Sequence, residues 1–399
     1  MKPEILAPAG NWEMLSTAIN AGADAIYFGI KGLNMRAKAR NFSLNNMSDI
    51  VKKCHLNNTK AYLAINTIIF DEELDYTEEI IQKAKKANID AIICWDLAVI
   101  SIAKKYNLTI HLSTQASAAN SGAISEYEKL GIKRVILARE CSLEQIKKLK
   151  TNVELEVFIH GAMCVAVSGR CFMSQYLYGK SANRGECIQP CRRSYDIQDP
   201  ETGKQLQLNN HYIMSPKDLC TIDIIDKLIE AEIKAFKIEG RNRSPEYVKT
   251  TVEVYKRAID SYYNKNLDNE LKHKLKEKLK KVYNRGFSSG FYLGTPIDEW
   301  CDSYGSKSTK VKEYVGKVIN YYKKAGISEI KIETGKICIK DIILIQGPTT
   351  GCIEAEVNSI QLDDEGVQKA EKGTSVGIPT ELARKNDKVY VFKTRNQNV

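Results

Sequence analysis

Through about residue 240, the apolar positions repeat one theme: a short β-branched run, a polar corner, then a stretch with helical spacing. The runs are EILAP (4–8), DAIYFG (24–29), KAYLAIN (60–66), DAIICWD (90–96), LTIHLST (108–114), KRVILAR (133–139), ELEVFIH (154–160) and KAFKIEG (234–240). Segments such as NWEMLSTAINAG, LDYTEEIIQKAKKAN and SLEQIKKLK lie between them and read as helices, often closed by Gly or Asn as αL caps are. Eight strands alternating with helices predict parallel pairing through right-handed crossovers. Eight strands also close a (β/α)8 TIM-like barrel, and no GxGxxG follows the first strand to favour a doubly wound sheet.

A barrel directs attention to the C-terminal ends of its strands, where chemistry is placed. Those ends carry Pro8, Gly29, Asn66, Asp96, Ser113 and Thr114, Arg139, His160 and Glu239. Beyond Arg243, SPEYVKTTVEVYKRAIDSYYN and DNELKHKLKEKLKKVYNR predict two amphipathic helices, the second with Leu271, Leu275, Leu279 and Val282 along one stripe. After Lys310, six short alternating runs predict a small β-barrel. The expected organisation is therefore a barrel over 1–243, a basic helical extension over 244–308 and a small β-barrel domain over 309–399.

Composition narrows the classes. No apolar run reaches the roughly 20 residues that span a bilayer, and the N-terminus shows no signal peptide, so a cytoplasmic protein without a membrane partner is expected. Of the net charge of +10, much is local: residues 241–285 hold 13 Lys/Arg against 6 Asp/Glu. Such a patch suits a polyanion such as RNA, although a solvated helix face explains it equally well, and no DNA partner is expected.

Eleven cysteines in a reducing compartment argue against a disulfide framework. Six are scattered singly, as small buried hydrophobes are. The other five form a separate population: HGAMCVAVSGRCFMSQYLYGKSANRGECIQPC (160–191) starts where the seventh strand ends, and SPKDLC adds Cys220. Their spacing is C-x6-C-x15-C-x3-C-x28-C, with five thiols for four positions. Four thiolates from a long loop suit an iron–sulfur cluster, zinc is the second reading, and buried thiols the third. A nucleophilic Cys164 with His160 as its base is the rival chemistry. GFSSG (286–290) matches a nucleophile elbow but follows a Lys-rich helix instead of a strand, and HExxH is absent.

The run ELEVFIHGAMCVAVSGRCFMS (154–174) matches the signature E-x-F-x-x-G-[SA]-[LIVM]-C-x4-G-x-C-x-[LIVM]-S through Glu156, Phe158, Gly161, Ala162, Met163, Cys164, Gly169, Cys171, Met173 and Ser174. With NRGECIQPCR, SPKDLC, FKIEGRNRSPEYV and NRGFSSGFYLG, the chain resembles the collagenase-like, U-type peptidase family over most of its length. Members of that family are needed for 5-hydroxyuridine at the tRNA wobble position or 5-hydroxycytidine in ribosomal RNA, with prephenate as co-substrate. Related proteins carry a 4Fe–4S cluster on four cysteines, and a few members are reported to degrade collagen. Length and the appended β-domain resemble the tRNA group most.

The resemblance implies a tRNA hydroxylase with an iron–sulfur cluster on Cys164, Cys171, Cys187 and Cys220, and with Cys191 as the alternate because a sister group uses the C-x3-C pair. Peptidase activity, a non-catalytic RNA scaffold and ribosomal-RNA hydroxylation are the alternatives, and a second subunit or paralogue is a further candidate partner. Prephenate carries two carboxylates, so Arg36, Arg40, Arg139, Arg170 and Arg241 are the candidate clamps. His160, Glu239 and Asp96 are the candidate catalytic groups.

Overall fold

The structure, a computed structural model, describes residues 2–37, 39–196, 198–204, 212, 214–363 and 365–395. All eight expected runs form strands: β1 (Glu4–Ala9), β2 (Ala25–Phe28), β3 (Lys60–Ala64), β4 (Ala91–Cys94), β5 (Ile110–Leu112), β6 (Arg134–Ile136), β7 (Glu154–Gly161) and, after an insertion, β9 (Ala235–Ile238). Each of β1 to β6 runs parallel to the next. β9 pairs in parallel with both β7 and β1, which closes the barrel. Strands buried on both faces explain why these runs read as nearly continuous apolar stretches instead of alternating ones.

The helices end as their sequences suggest, with Asn58, Asn88 and Asn107 at φ of 54°, 58° and 51°. The helix Pro245–Tyr263 follows β9 and packs against β1 and the helix Trp12–Asn20, so it takes the eighth helical position of the barrel. Asn269–Lys280 packs on it through Leu275 and Leu279. The lysines of this second helix are largely neutralised: Lys272 pairs with Asp226 and Lys276 with Asp223, while Lys274 and Lys280 pair with Glu270 and Glu277.

One further strand belongs to the inserted segment. β8 (Asp218–Cys220) lies antiparallel to the end of β7, opposing His160 to Cys220. The C-terminal region is an antiparallel sheet built on Lys310–Tyr322, Ile327–Ile332, Ile342–Gly347 and Lys388–Thr394 around its own core of Val318, Ile330, Ile343 and Val389. It rests on the barrel. Gly351, at φ 77°, approaches so closely that a Cβ there would lie 2.8 Å from the Thr17 nitrogen, and Lys312 pairs with Glu246 at 2.9 Å. Among the described residues no helix is long and apolar enough to cross a membrane.

Candidate functional site

The C-terminal ends of the barrel strands open into one cavity, roofed by the loop that follows β7. Its floor includes Tyr27, Asn66, Gln115, Phe158, Lys237 and Glu239. Arginines pin the roof. Arg170 donates to the Gln115 carbonyl oxygen at 2.8 Å, Arg184 pairs with Glu73, and Arg192 donates to Ser215 Oγ at 3.0 Å. Gly185, at φ 82°, lets the roof sit against the 34–37 segment, where a Cβ would come within 2.3 Å of the Asn34 carbonyl oxygen.

Four thiols of that loop, Cys164, Cys171, Cys187 and Cys191, line the cavity together. The Cys171 amide donates to Asn183 Oδ1 at 2.8 Å, which holds that turn. Burial pushes the Cys187 and Cys191 thiols up, and the neighbouring thiols push them further. Mutual repulsion of this kind is relieved by a cation, which makes each thiolate favourable. The donor set is therefore suited to an iron–sulfur cluster or zinc ion. As they stand, no three metal-ligating side chains among the described residues form a cage.

Cys220 is elsewhere. It is buried under β7, with the Tyr255 hydroxyl 3.8 Å from its sulfur, and burial pushes its thiol up to about 11. Of the five cysteines, the alternate Cys191 therefore lines the cavity with Cys164, Cys171 and Cys187, whereas the preferred Cys220, on β8 against the end of β7, does not.

The catalytic candidates separate in the same way. Glu239 lies in the cavity, and Arg36 Nη2 reaches its Oε1 at 2.8 Å. Burial would raise this carboxyl, but Arg36, Arg243 and Arg139 hold it below its ordinary range. His160 lies one residue before the end of β7 yet faces away. Phe158 pairs with Lys237 and His160 with Ile238, so Ile159 is an extra residue and the bulge turns the imidazole outward. There it packs with Tyr247, Tyr255 and Phe287, and burial pushes it down to about 3. Asp96 caps the helix Leu97–Lys105 by accepting from the Ala98 amide at 2.9 Å, away from the cavity.

Among the arginines, Arg36, Arg139 and Arg241 line the cavity. Arg139 lies 4.0 Å over the Phe158 ring, donates to the Ala162 carbonyl oxygen at 2.7 Å, and keeps its buried Nε without a partner. Arg170 is spent on the roof, and Arg40 lines a different cavity. Sequence reasoning passed over Lys237, whose buried Nζ donates to Glu156 Oε1 at 2.9 Å and lies 4.4 Å over the Tyr27 ring. Glu156 also receives Arg134, which in turn bonds Glu4 at 2.7 Å, so a chain of charges runs along the barrel axis. The period-two spacing of Lys237 and Glu239 on one strand was the available signal.

The model of peptidase family U32 matches residues 10–302. The chain belongs to peptidase family U32. A protein named collagenase from Porphyromonas gingivalis is 43% identical to it over 99% of both chains. The tRNA hydroxylation protein P1 of Bacillus subtilis is 37% identical over 80% of this chain and 78% of its own length. A 23S rRNA 5-hydroxycytidine synthase of Escherichia coli is 34% identical over 66% of this chain and 40% of its own.

Proposed function

We propose that this U32 protein hydroxylates a pyrimidine base of RNA, with tRNA as the substrate, 5-hydroxyuridine at the wobble position as the product and prephenate as the co-substrate. One observation carries the reading: four thiols and the Arg36–Glu239 pair share a cavity at the C-terminal mouth of the barrel. Replacing C5–H of a pyrimidine by C5–OH is an oxidation that side chains alone supply poorly, and a 4Fe–4S cluster on Cys164, Cys171, Cys187 and Cys191 would supply the electron transfer. Arg36 and Arg139 give the cavity the guanidinium donors that a dicarboxylate takes, and the unpartnered Arg139 Nε is a donor awaiting one. Lys237 and Glu239, both buried there, are the groups able to hold or move a proton. The target base has to leave its stack to reach this depth.

The collagenase name of the relative from Porphyromonas gingivalis favours a peptidase as the second reading. That chemistry lacks the histidine base expected beside its nucleophile, since no described histidine lines the cavity with Cys164. The test is nucleoside mass spectrometry of RNA from cells lacking this protein and any paralogue. Loss of 5-hydroxyuridine derivatives supports the proposal, and an unchanged profile removes it.

A further inference from the structure

A second cavity lies between the barrel and the C-terminal domain, and Arg241 lines both it and the thiol-lined one. Two helices begin at its floor. Trp12–Asn20 is capped by Asn11, and the 19-residue helix Pro245–Tyr263 starts at Ser244, which makes no capping hydrogen bond. Gly10 allows the two loops to meet, because a Cβ there would lie 2.2 Å from the Arg241 carbonyl oxygen. The facing wall comes from the C-terminal sheet through Lys312, Gln346, Lys388 and Tyr390.

The charge of this space is one-sided. Arg40, Arg241, Arg243, Lys312 and Lys388 line it against a single carboxylate, Glu13. Two of the five are already engaged: Lys312 is bonded to Glu246 and Gln346, and Arg243 stacks 3.7 Å over the Tyr283 ring near Asp218. Arg40 and Lys388 are exposed and form no ion pair among the described residues. They come from the two sides of the cleft, one from the barrel and one from the C-terminal domain.

Arg241 is the second observation, independent of the helix ends. It is 4% exposed, donates through Nη2 to Asn34 and Asn41, and keeps its Nε without a partner. A buried guanidinium with a spare donor, two helix N-termini and two free cations all call for an anion. The free cations sit on opposite lips of an open cleft, which suits a phosphodiester passing through more than an enclosed small anion. Four of the five lysines of Asn269–Lys280, the more obvious basic surface, are already paired with carboxylates.

We infer that this cleft binds a backbone phosphate of the RNA strand whose base enters the neighbouring thiol-lined cavity, an inference that rests on the RNA reading above. Contacts of this kind set register without reading sequence, and they make the C-terminal domain part of the RNA site. The bridging position of Arg241 ties the two cavities into one path.

The test uses the full chain with Arg40→Ala and Lys388→Ala together, and a fluorescent anticodon stem-loop RNA titrated across a range of salt. The dissociation constant of the double variant is expected to rise about tenfold at low salt, and the log–log salt slope to fall by about one to two, since each lost phosphate contact removes just under one. The thermal midpoint stays at the wild-type value, because both side chains are exposed and unpaired. Wild-type affinity and slope in the variant overturn the inference while leaving the RNA reading intact. Failure of the wild-type protein to bind the RNA overturns both. Binding of inorganic phosphate that disappears in the variant, with RNA affinity unchanged, assigns the cleft to a free anion and overturns the phosphodiester assignment.

Discussion

Arg36 reaches across the mouth of the barrel to Glu239, with Nη2 and Nε at 2.8 and 3.2 Å from one carboxylate oxygen. The pair joins the loop after β2 to the end of the last barrel strand, directly under the thiol-bearing roof. Glu239→Gln keeps the shape and removes the charge. About 1–3 kcal/mol of stability is expected to be lost, in the range of hydrogen bonds to charged groups, with a fall in hydroxylation larger than the fall in RNA affinity. Urea unfolding and single-turnover product formation measure the two. Because Arg36, Arg243 and Arg139 hold this carboxyl below its ordinary range, its contribution is complete above about pH 4.3 and disappears only as pH falls through the lower folded value.

The charge chain inside the barrel gives a sharper effect on stability. Glu156 is fully buried and accepts from Lys237 at 2.9 Å and from Arg134 at 3.3 Å. Glu156→Ala leaves two buried cations without their shared partner and is expected to cost about 3–5 kcal/mol. The shift of the urea midpoint at constant slope checks it.

The cysteines separate by place. Cys191→Ser is expected to lower the iron and sulfide content of anaerobically prepared protein and to weaken its broad visible absorbance. Cys220→Ser, made under β7 beside Tyr255, is expected to leave both unchanged while lowering the thermal midpoint by a few degrees. The reverse pattern would return Cys220 to the ligand set.

His160 makes a prediction against pH. Burial holds its imidazole neutral down to about 3 in the folded chain, so between that value and about 6.5 the unfolded chain binds the extra proton. Stability is therefore complete above about pH 6.5 and declines as pH falls through this window. A His160→Gln variant, measured by urea unfolding at several pH values, is expected to be less stable at neutral pH and to show a shallower decline. His111, also buried and held neutral, adds to the decline in the same direction.

The barrel was legible because all eight strands are local, apolar and separated by helices with Asn or Gly at their ends. The thiol loop was legible for the same reason: its placement after β7 follows from strand order alone. Orientation was not. The bulge at Ile159 depends on the register between β7 and β9, which are joined only in three dimensions, and it turned His160 outward. Nothing local announces β8 either, the short antiparallel strand that sets Cys220 against His160 and away from the four thiols lining the cavity. Asp96 read as a strand-end acid, whereas two backbone amides claim it as a helix cap. Lys237 was hidden by an apolar strand context, although its parity with Glu239 pointed both side chains the same way.

The central claim is that the four thiols at the barrel mouth serve hydroxylation of an RNA base. It is tested most directly by nucleoside mass spectrometry of tRNA from cells lacking this protein and any paralogue, complemented with the wild-type chain or with Cys191→Ala. The predicted result is absence of 5-hydroxyuridine derivatives without the protein, return with the wild-type chain, and no return with the variant. Derivatives that persist without the protein, or that Cys191→Ala restores in full, would contradict it.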